Sequence, residues 1–503
     1  MEKIININSV KVEGLDPVRI GVEVGVKSGI GIHLVGLADT AVKESLLRTV
    51  TALQACGFRI PGKKIVINLA PADLKKGGSR YDLAIAVGIV AATGQKDLPN
   101  LGGYLLSAEL GLDGSLRPVS GSVQTAELAK ELGIVALMPE SNAREAAAFF
   151  PQNVIPVSTL SDALNVIAGG APSIVLKEAA TFHNEIPDLA SIPGNPAAKR
   201  GVEIAAAGGF GLTLIGEPGS GKTDLARALA GILPPMSAKE SLETNKIYSV
   251  ASHTFGHTVR KRPVRIPHHS SSTASWLGGG SGEDICPGEI SLAHNGVLVV
   301  DEFTALPKAI REFLSKHDRK EGVTIARLKS KTSFPTNFIP VLTDLPCSCG
   351  HYGEGDRCTC TKGQMAARWN SLSTPQLMET APVRCFVRNE YGKSSETGDG
   401  SAKVAERVSA SRKLQEKLLE GTGYKLVSEI LPCDLNKFVP AEGGAFILME
   451  KLCNSGLISP RDLSHVRRIA LAIATLDGRT QVNNADIAEA ASFRFRLPGT
   501  QEN

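Results

Sequence analysis

The chain has 503 residues, 42% hydrophobic and 21% charged, with 55 Lys and Arg against 51 Asp and Glu for a formal net charge of +4. At roughly 100 to 200 residues per domain this length predicts about three or four domains, each with its own core. The composition excludes a highly charged disordered chain and a protein that coats nucleic acid by bulk electrostatics, so any nucleic-acid contact must be local. The 51 glycines follow no three-residue period, which excludes collagen.

The N-terminal run MEKIININSV lacks the apolar stretch of a signal peptide. The most continuous apolar run, residues 83–93, is about half of what a bilayer requires. A cytoplasmic location without membrane contact is therefore expected. Up to about residue 175, short apolar runs at 20–26 and 64–69 alternate with helical patterns at 40–55 and 82–92, which predicts an α/β domain over 1–175. A polar, proline-dotted passage over 176–196 reads as a linker. A second α/β unit follows over 197–390, with a polar loop around 388–402. Residues 391–503 carry helical periodicity with almost no strand signal and predict a small helical lid.

The strongest motif is Gly216-Glu217-Pro218-Gly219-Ser220-Gly221-Lys222-Thr223, which matches G-x-x-x-x-G-K-[ST]. Leu212 to Ile215 upstream form a short apolar strand, and Leu225, Leu229, Ile232 and Leu233 downstream recur at helical spacing until Pro234-Pro235. In this context the glycines let backbone N–H groups converge on phosphate oxygens. Lys222 is expected to reach the β/γ-phosphates of ATP, and Thr223 to hold Mg²⁺. Further on, residues 296–302 (GVLVVDE) read as a buried strand ending in two carboxylates. Asp301 is expected to bind Mg²⁺ through water, and Glu302 to polarise the attacking water as general base.

Four cysteines, Cys347, Cys349, Cys358 and Cys360, follow the pattern C-x-C-x₈-C-x-C. Two paired thiolates brought together by a Gly-rich loop can make a tetrahedral structural zinc site, although the usual ribbon spacing is C-x₂-C. Four reduced, unliganded thiols are the other reading. Residues 323–334 (VTIARLKSKTSF) read as two short strands around Lys329 and Lys331, a hairpin tip able to meet DNA phosphates or simply to be solvated.

Several longer stretches carry a resemblance: 262–269 (RPVRIPHH), the glycines 278–280, 287–296 (PGEISLAHNG), 35–45 (VGLADTAVKES), 68–76 (NLAPADLKK) and 202–209 (VEIAAAGG). Through them essentially the whole chain resembles the magnesium-chelatase-like AAA+ ATPases of the YifB/ComM type. The resemblance implies a Lon-like N-terminal domain, a AAA+ core with the cysteine insert at 347–360, and a helical lid. It also implies a homo-hexameric ring that threads or encircles DNA, with branch migration during recombination of incoming DNA as its role. In the lid it makes Arg461 of Ser459-Pro460-Arg461 the sensor-2 arginine that reaches the γ-phosphate.

The chain departs from the family pattern at three places. Leu345 stands where the family carries its sensor asparagine, Glu379 where it carries an arginine, and 316–320 (KHDRK) where it has a Gln-Pro-Leu-Glu-type turn. Because such polar groups stabilise charge on the transferred phosphoryl, these replacements bear on turnover rather than on binding. Arg384 is a candidate substitute for the missing finger. The leading expectation is an ATP-driven DNA motor; the alternatives are a nucleotide-binding ring subunit without turnover and a motor subunit of a metal chelatase. Peptidase activity is not expected, because Ser79 with Lys75 or Lys76 does not stand where a Lon-type serine and lysine would.

Overall fold

Residues 64–70 (KIVINLA) alternate apolar and polar side chains, and the strand Lys64–Ala70 buries Ile65, Ile67 and Leu69 on one face. In the computed structural model the described residues are 4–36, 40–182, 185–251, 255–280, 285–317, 319, 321–327, 330–352, 357–390, 398–439, 443–454 and 458–494. Lys64–Ala70 belongs to a seven-stranded sheet in the order Gly31–Val35, Lys64–Ala70, Asp16–Lys27, Ile4–Glu13, Tyr104–Leu106, Val135–Pro139 and Val154–Val157. The hairpin Ile4–Glu13/Asp16–Lys27 and its pairing with Lys64–Ala70 are antiparallel; the other neighbours run parallel. The apolar run that is too short for a membrane forms the helix Asp82–Ala92, buried from Asp82 to Ala91. It sits so close to the sheet that a Cβ on Gly88 would lie 2.5 Å from Val24 Cγ2, so any larger residue there must displace the Val24 side chain.

The second sheet has five parallel strands in the order Val264–Arg265, Val297–Val300, Ile339–Asp344, Leu212–Gly216 and Val383–Val387. Strands of a parallel sheet are covered on both faces by crossover helices, which is why 212–216 (LTLIG) and 297–300 (VLVV) are continuous buried runs rather than alternating ones. The lid follows as the helices Ser401–Leu418, Gly443–Asn454, Pro460–Leu476 and Asn484–Ser492. Val466, Ile469, Ala470 and Ile473 pack into the same apolar cluster as Leu212, Leu225 and Val383, so lid and sheet share a core. The mixed α/β class, with a parallel-stranded second unit and helices at the C-terminal end, agrees with the sequence expectation.

The passage 176–196 differs from the expected linker. Its Ala180–Thr181 strand pairs with His257–Thr258, and Leu189 and Ile192 are buried in the cluster of the second sheet. The Asp188 carboxylate accepts from the backbone N–H of Ala190 and Ser401 at 2.7 and 3.1 Å, so the segment fastens the start of the lid.

The N-terminal domain and the core meet along the helices Ser122–Glu131 and Ala238–Ala251. The Gln124 amide donates to the Lys246 carbonyl at 2.9 Å, the Gly121 N–H to the Ser249 carbonyl at 3.0 Å, and Lys246 pairs with Glu127 at 2.6 Å. At the same seam the buried carboxyl of Glu145, on the helix Glu140–Ala147, accepts from Ser122 Oγ at 2.8 Å. Ser79 donates to Glu109, and the buried Lys76 donates to the Pro71 carbonyl, so neither is turned toward a serine–lysine pair; Lys75 is exposed.

Candidate nucleotide site

The strand Leu212–Gly216 delivers the chain to a turn in which Gly219 and Gly221 take φ of +72° and +87°. These are left-handed conformations open to glycine, and they fold the loop 216–223 over the N-terminus of the helix Lys222–Ile232. Lys222 is 9% exposed, and its ammonium donates to the carbonyls of Gly216 at 2.8 Å and Glu217 at 2.6 Å. Burial lowers its pKa from the ordinary lysine value, while the carboxylates of Asp301, Asp344, Glu217 and Glu302 pull the other way. Ser220 Oγ donates to the Glu217 carbonyl at 2.8 Å and stiffens the turn.

The loop opens on a cavity of about 370 Å³ lined by Pro218, Gly219, Ser220, Gly221, Lys222, Thr223 and Asp224 on one side and by Asp301, Glu302, Thr343, Asp344 and Leu345 on the other. Its position follows from topology. Leu212–Gly216 and Val297–Val300 flank Ile339–Asp344 in parallel, so the C-terminal ends of all three strands open on the same crevice. Asp301, Glu302 and Lys222, read as one site from the sequence, are thus brought together. Lys222, Thr223 and Asp301 are the donors suited to a triphosphate with Mg²⁺: a buried ammonium, a helix N-terminus, a hydroxyl and a carboxylate on one cavity.

Glu302 has φ +51°, a left-handed backbone that is uncommon outside glycine and tends to occur at functional sites. Its carboxylate is half exposed and stands 3.8 Å from Nδ1 of His269. Two polar residues missed by sequence reasoning complete the wall. Thr343 Oγ1 donates to Asp301, and the buried Asp344 carboxylate accepts from the Thr304 N–H at 3.0 Å, the Leu345 N–H at 2.8 Å and the Arg368 guanidinium. Burial raises the Asp344 pKa from its ordinary value and Arg368 opposes the rise. The available signal was two polar residues closing an otherwise apolar strand. His269 lay inside the motif RPVRIPHH with no role attached to it.

Comparison with known proteins decides the family. The model for magnesium chelatase, subunit ChlI, matches residues 188–392; a second model, subunit ChlI of Mg-chelatase, matches 22–142; and the ChlI C-terminal model matches 398–494. The chain is 35% identical to competence protein ComM of Haemophilus influenzae over 496 residues, covering 96% of this chain and 95% of ComM. It is 34% identical to YifB of Escherichia coli over 493 residues, covering 96% and 95%, and 35% identical to an uncharacterized protein of Mycobacterium tuberculosis over 494 residues, covering 97% of each. The chain belongs to the magnesium-chelatase-like AAA+ family of ComM and YifB.

Within this family's framework the departures acquire positions. Leu345 lines the cavity directly after Thr343 and Asp344. Glu379, expected from the resemblance to stand in place of an arginine, sits on the helix Pro375–Thr380 with its carboxylate 3.3 Å from Nε of Arg461. Arg461 is therefore not brought to the cavity of its own chain; it lies on the exposed face that carries Glu379. Arg384 is not a free finger either. It is 1% exposed on the strand Val383–Val387 and donates to the Leu372 carbonyl at 3.0 Å, and burial lowers its pKa to about 10. Of the segment 316–320, His317 stacks on Phe338 with ring centroids 4.6 Å apart, and Arg319 donates to the Gly209 carbonyl at 2.6 Å; Asp318 and Lys320 lie outside the described residues.

The hairpin Val323–Arg327/Ser330–Phe334 forms with Val323 opposite Phe334, and its root is buried. Lys331 is exposed, while Leu328 and Lys329 at the expected DNA-facing tip lie outside the described residues. The sulfur atoms of Cys347, Cys349, Cys358 and Cys360 all lie within 4.8 Å of one another.

Proposed function

We propose that this chain binds ATP with Mg²⁺ in the 216–223/301–302 cavity and uses its hydrolysis to remodel DNA, as a homo-hexameric ring promoting branch migration. The observation that carries the nucleotide part is the convergence of Lys222, Thr223, Asp301 and Glu302 on one cavity across three parallel strands. In this reading the loop N–H groups and Lys222 orient the phosphates, Thr223 and Asp301 hold the cation, and Glu302 takes a proton from the attacking water. When bound, Mg²⁺ neutralises charge on the phosphate oxygens. Thr343 keeps the Asp301 carboxylate aimed at the cavity, and His269 stands against Glu302. The DNA part rests on the family and on the name of its competence protein ComM.

A second reading, a nucleotide-binding ring subunit without turnover, is favoured by one observation. The position expected to supply a cation holds Glu379, and that carboxylate engages Arg461. Losing an arginine finger costs about 10³ to 10⁵ in rate in the GTPase systems, enough to silence a motor while leaving binding intact. ATP turnover with and without branched DNA, measured beside a Lys222→Ala variant, separates the two. DNA-stimulated turnover that the substitution abolishes supports the motor. ATP binding with turnover no higher than the variant's supports the second reading.

A further inference from the structure

The nucleotide reading leaves the cysteine cluster without a task, yet the cluster is built onto the cavity wall. Cys347 Sγ lies 3.3 Å from Cys349 Sγ and 3.9 Å from Cys358 Sγ, and Cys349 and Cys358 are 3.7 Å apart. These separations are well beyond the roughly 2.05 Å of a disulfide. They bracket the roughly 3.8 Å edge of a sulfur tetrahedron around an ion with metal–sulfur bonds of about 2.3 Å. An outer contact is also in place: the Cys349 N–H donates to Cys360 Sγ at 3.4 Å, the kind of bond that orients a thiolate ligand. Four thiolates without an open position suit a structural Zn²⁺.

Both ends of the cysteine segment return to the nucleotide cavity. On the N-terminal side, Thr343, Asp344 and Leu345 line the cavity, and Cys347 follows within two residues. On the C-terminal side, Thr361 directly after Cys360 caps the helix Lys362–Leu372, and Arg368 of that helix pairs with the buried Asp344 carboxylate. The segment between them touches the phosphate loop itself. Gly350 has φ +84°, and a Cβ there would stand 2.8 Å from Pro218 Cδ, so its backbone rests against the loop's proline. Tyr352 meets the buried Trp369 of the same helix edge to face at 5.0 Å.

We propose that Cys347, Cys349, Cys358 and Cys360 bind one Zn²⁺ and that this ion braces the phosphate loop. Its occupancy sets the order of residues 216–223 and, on the nucleotide-binding reading above, the affinity for nucleotide. The ion closes the segment 347–360, the closed segment seats Gly350 on Pro218, and the same closure holds Arg368 on Asp344. Without it the four thiols are held by weak hydrogen bonds alone, and the loop's binding-competent geometry becomes one of several. If that geometry falls to about a tenth of the population, the apparent Kd for nucleotide rises about tenfold.

The test uses the full chain. Elemental analysis of the purified protein is expected to give one zinc per chain, and a Cys358→Ser/Cys360→Ser variant less than a tenth of that. Amide hydrogen exchange of residues 216–223 in the wild-type chain is then followed before metal stripping with an organomercurial, after it, and after zinc is returned with excess thiol. Faster exchange on stripping, reversed by zinc, is the expected result, and it does not depend on the serine variant folding. Gly350→Ala, which keeps all four thiols but pushes the segment off Pro218, is expected to retain zinc and still speed exchange of the loop. Iron in place of zinc, zinc undiminished in the serine variant, or exchange indifferent to stripping overturns the proposal. Failure of the zinc-loaded chain to bind a fluorescent ATP analogue counts against the nucleotide reading alone, because the exchange experiment decides the brace by itself.

Discussion

Glu145 sits in an environment that changes its solution chemistry with a measurable consequence. Its carboxyl is 2% exposed at the seam between the N-terminal domain and the core, and burial pushes its pKa up to about 7 although Ser122 and Ser249 donate to it. A folded pKa above the unfolded one means that the folded state holds the proton more tightly. The associated stability is therefore present below about pH 4.5 and is lost as pH rises through about 7. A shift of this size corresponds to about 3 kcal/mol. Glu145→Gln, which mimics the protonated acid, is expected to flatten this dependence, so that urea unfolding at pH 8 finds the variant more stable and at pH 4.5 finds the two alike. Equal stability at both values would show that the seam does not sense the proton.

At the same scale, what was legible of the nucleotide site divides cleanly by cause. Lys222, Thr223, Asp301 and Glu302 could be placed because loop and strand chemistry fixes residue type at short spacing. Thr343 and Asp344 could not, since they reach the cavity only through the neighbouring strand Ile339–Asp344, nor could His269, which meets Glu302 only through the loop after Val264–Arg265. Arg461 and Arg384 illustrate the converse, because the resemblance implied roles for them that pairing and burial redirect.

Among the elements, the helix Pro196–Gly208 joins sheet to lid through charged pairs centred on a buried carboxylate. Glu203, 4% exposed, accepts from Arg200 at 3.0 Å and from Arg407 of the helix Ser401–Leu418 at 2.6 Å, while Arg200 also meets Glu489 of Asn484–Ser492 at 2.7 Å. A buried charged hydrogen-bond acceptor that serves two guanidinium groups contributes more than its exposed counterpart. Glu203→Ala is expected to cost about 2 kcal/mol, and Glu489→Ala about 0.5 kcal/mol, by denaturant unfolding. Equal losses would place the lid attachment elsewhere. The helices Thr40–Ala55 and Asp82–Ala92 and the strand Lys64–Ala70 were readable because their periods are local. The passage 176–196 was misjudged because the burial of Leu189 and Ile192 depends on strands and helices far along the chain, which no local composition reports.

Across the whole molecule, a chain of +4 with an N-terminal α/β domain, a AAA+ core and a helical lid has no surplus of charge with which to coat DNA. The proposed ring resolves this physically, since a closed ring retains a polymer by topology and needs only local cations, of which the exposed Lys331 is one. The parallel order of the five-stranded sheet does the rest. It places the phosphate loop and the paired carboxylates at one end of the core, where a nucleotide would touch both, with the zinc-binding candidate beginning two residues beyond the cavity-lining Leu345. That convergence is the central claim, and equilibrium titration of the zinc-containing chain with ATP and Mg²⁺, wild type beside Lys222→Ala, tests it most directly. One nucleotide per chain, with affinity reduced about a hundredfold by the substitution through loss of a buried charged contact worth about 3 kcal/mol, is the predicted result. Undetectable binding by the wild-type chain, or equal binding by the variant, would contradict it.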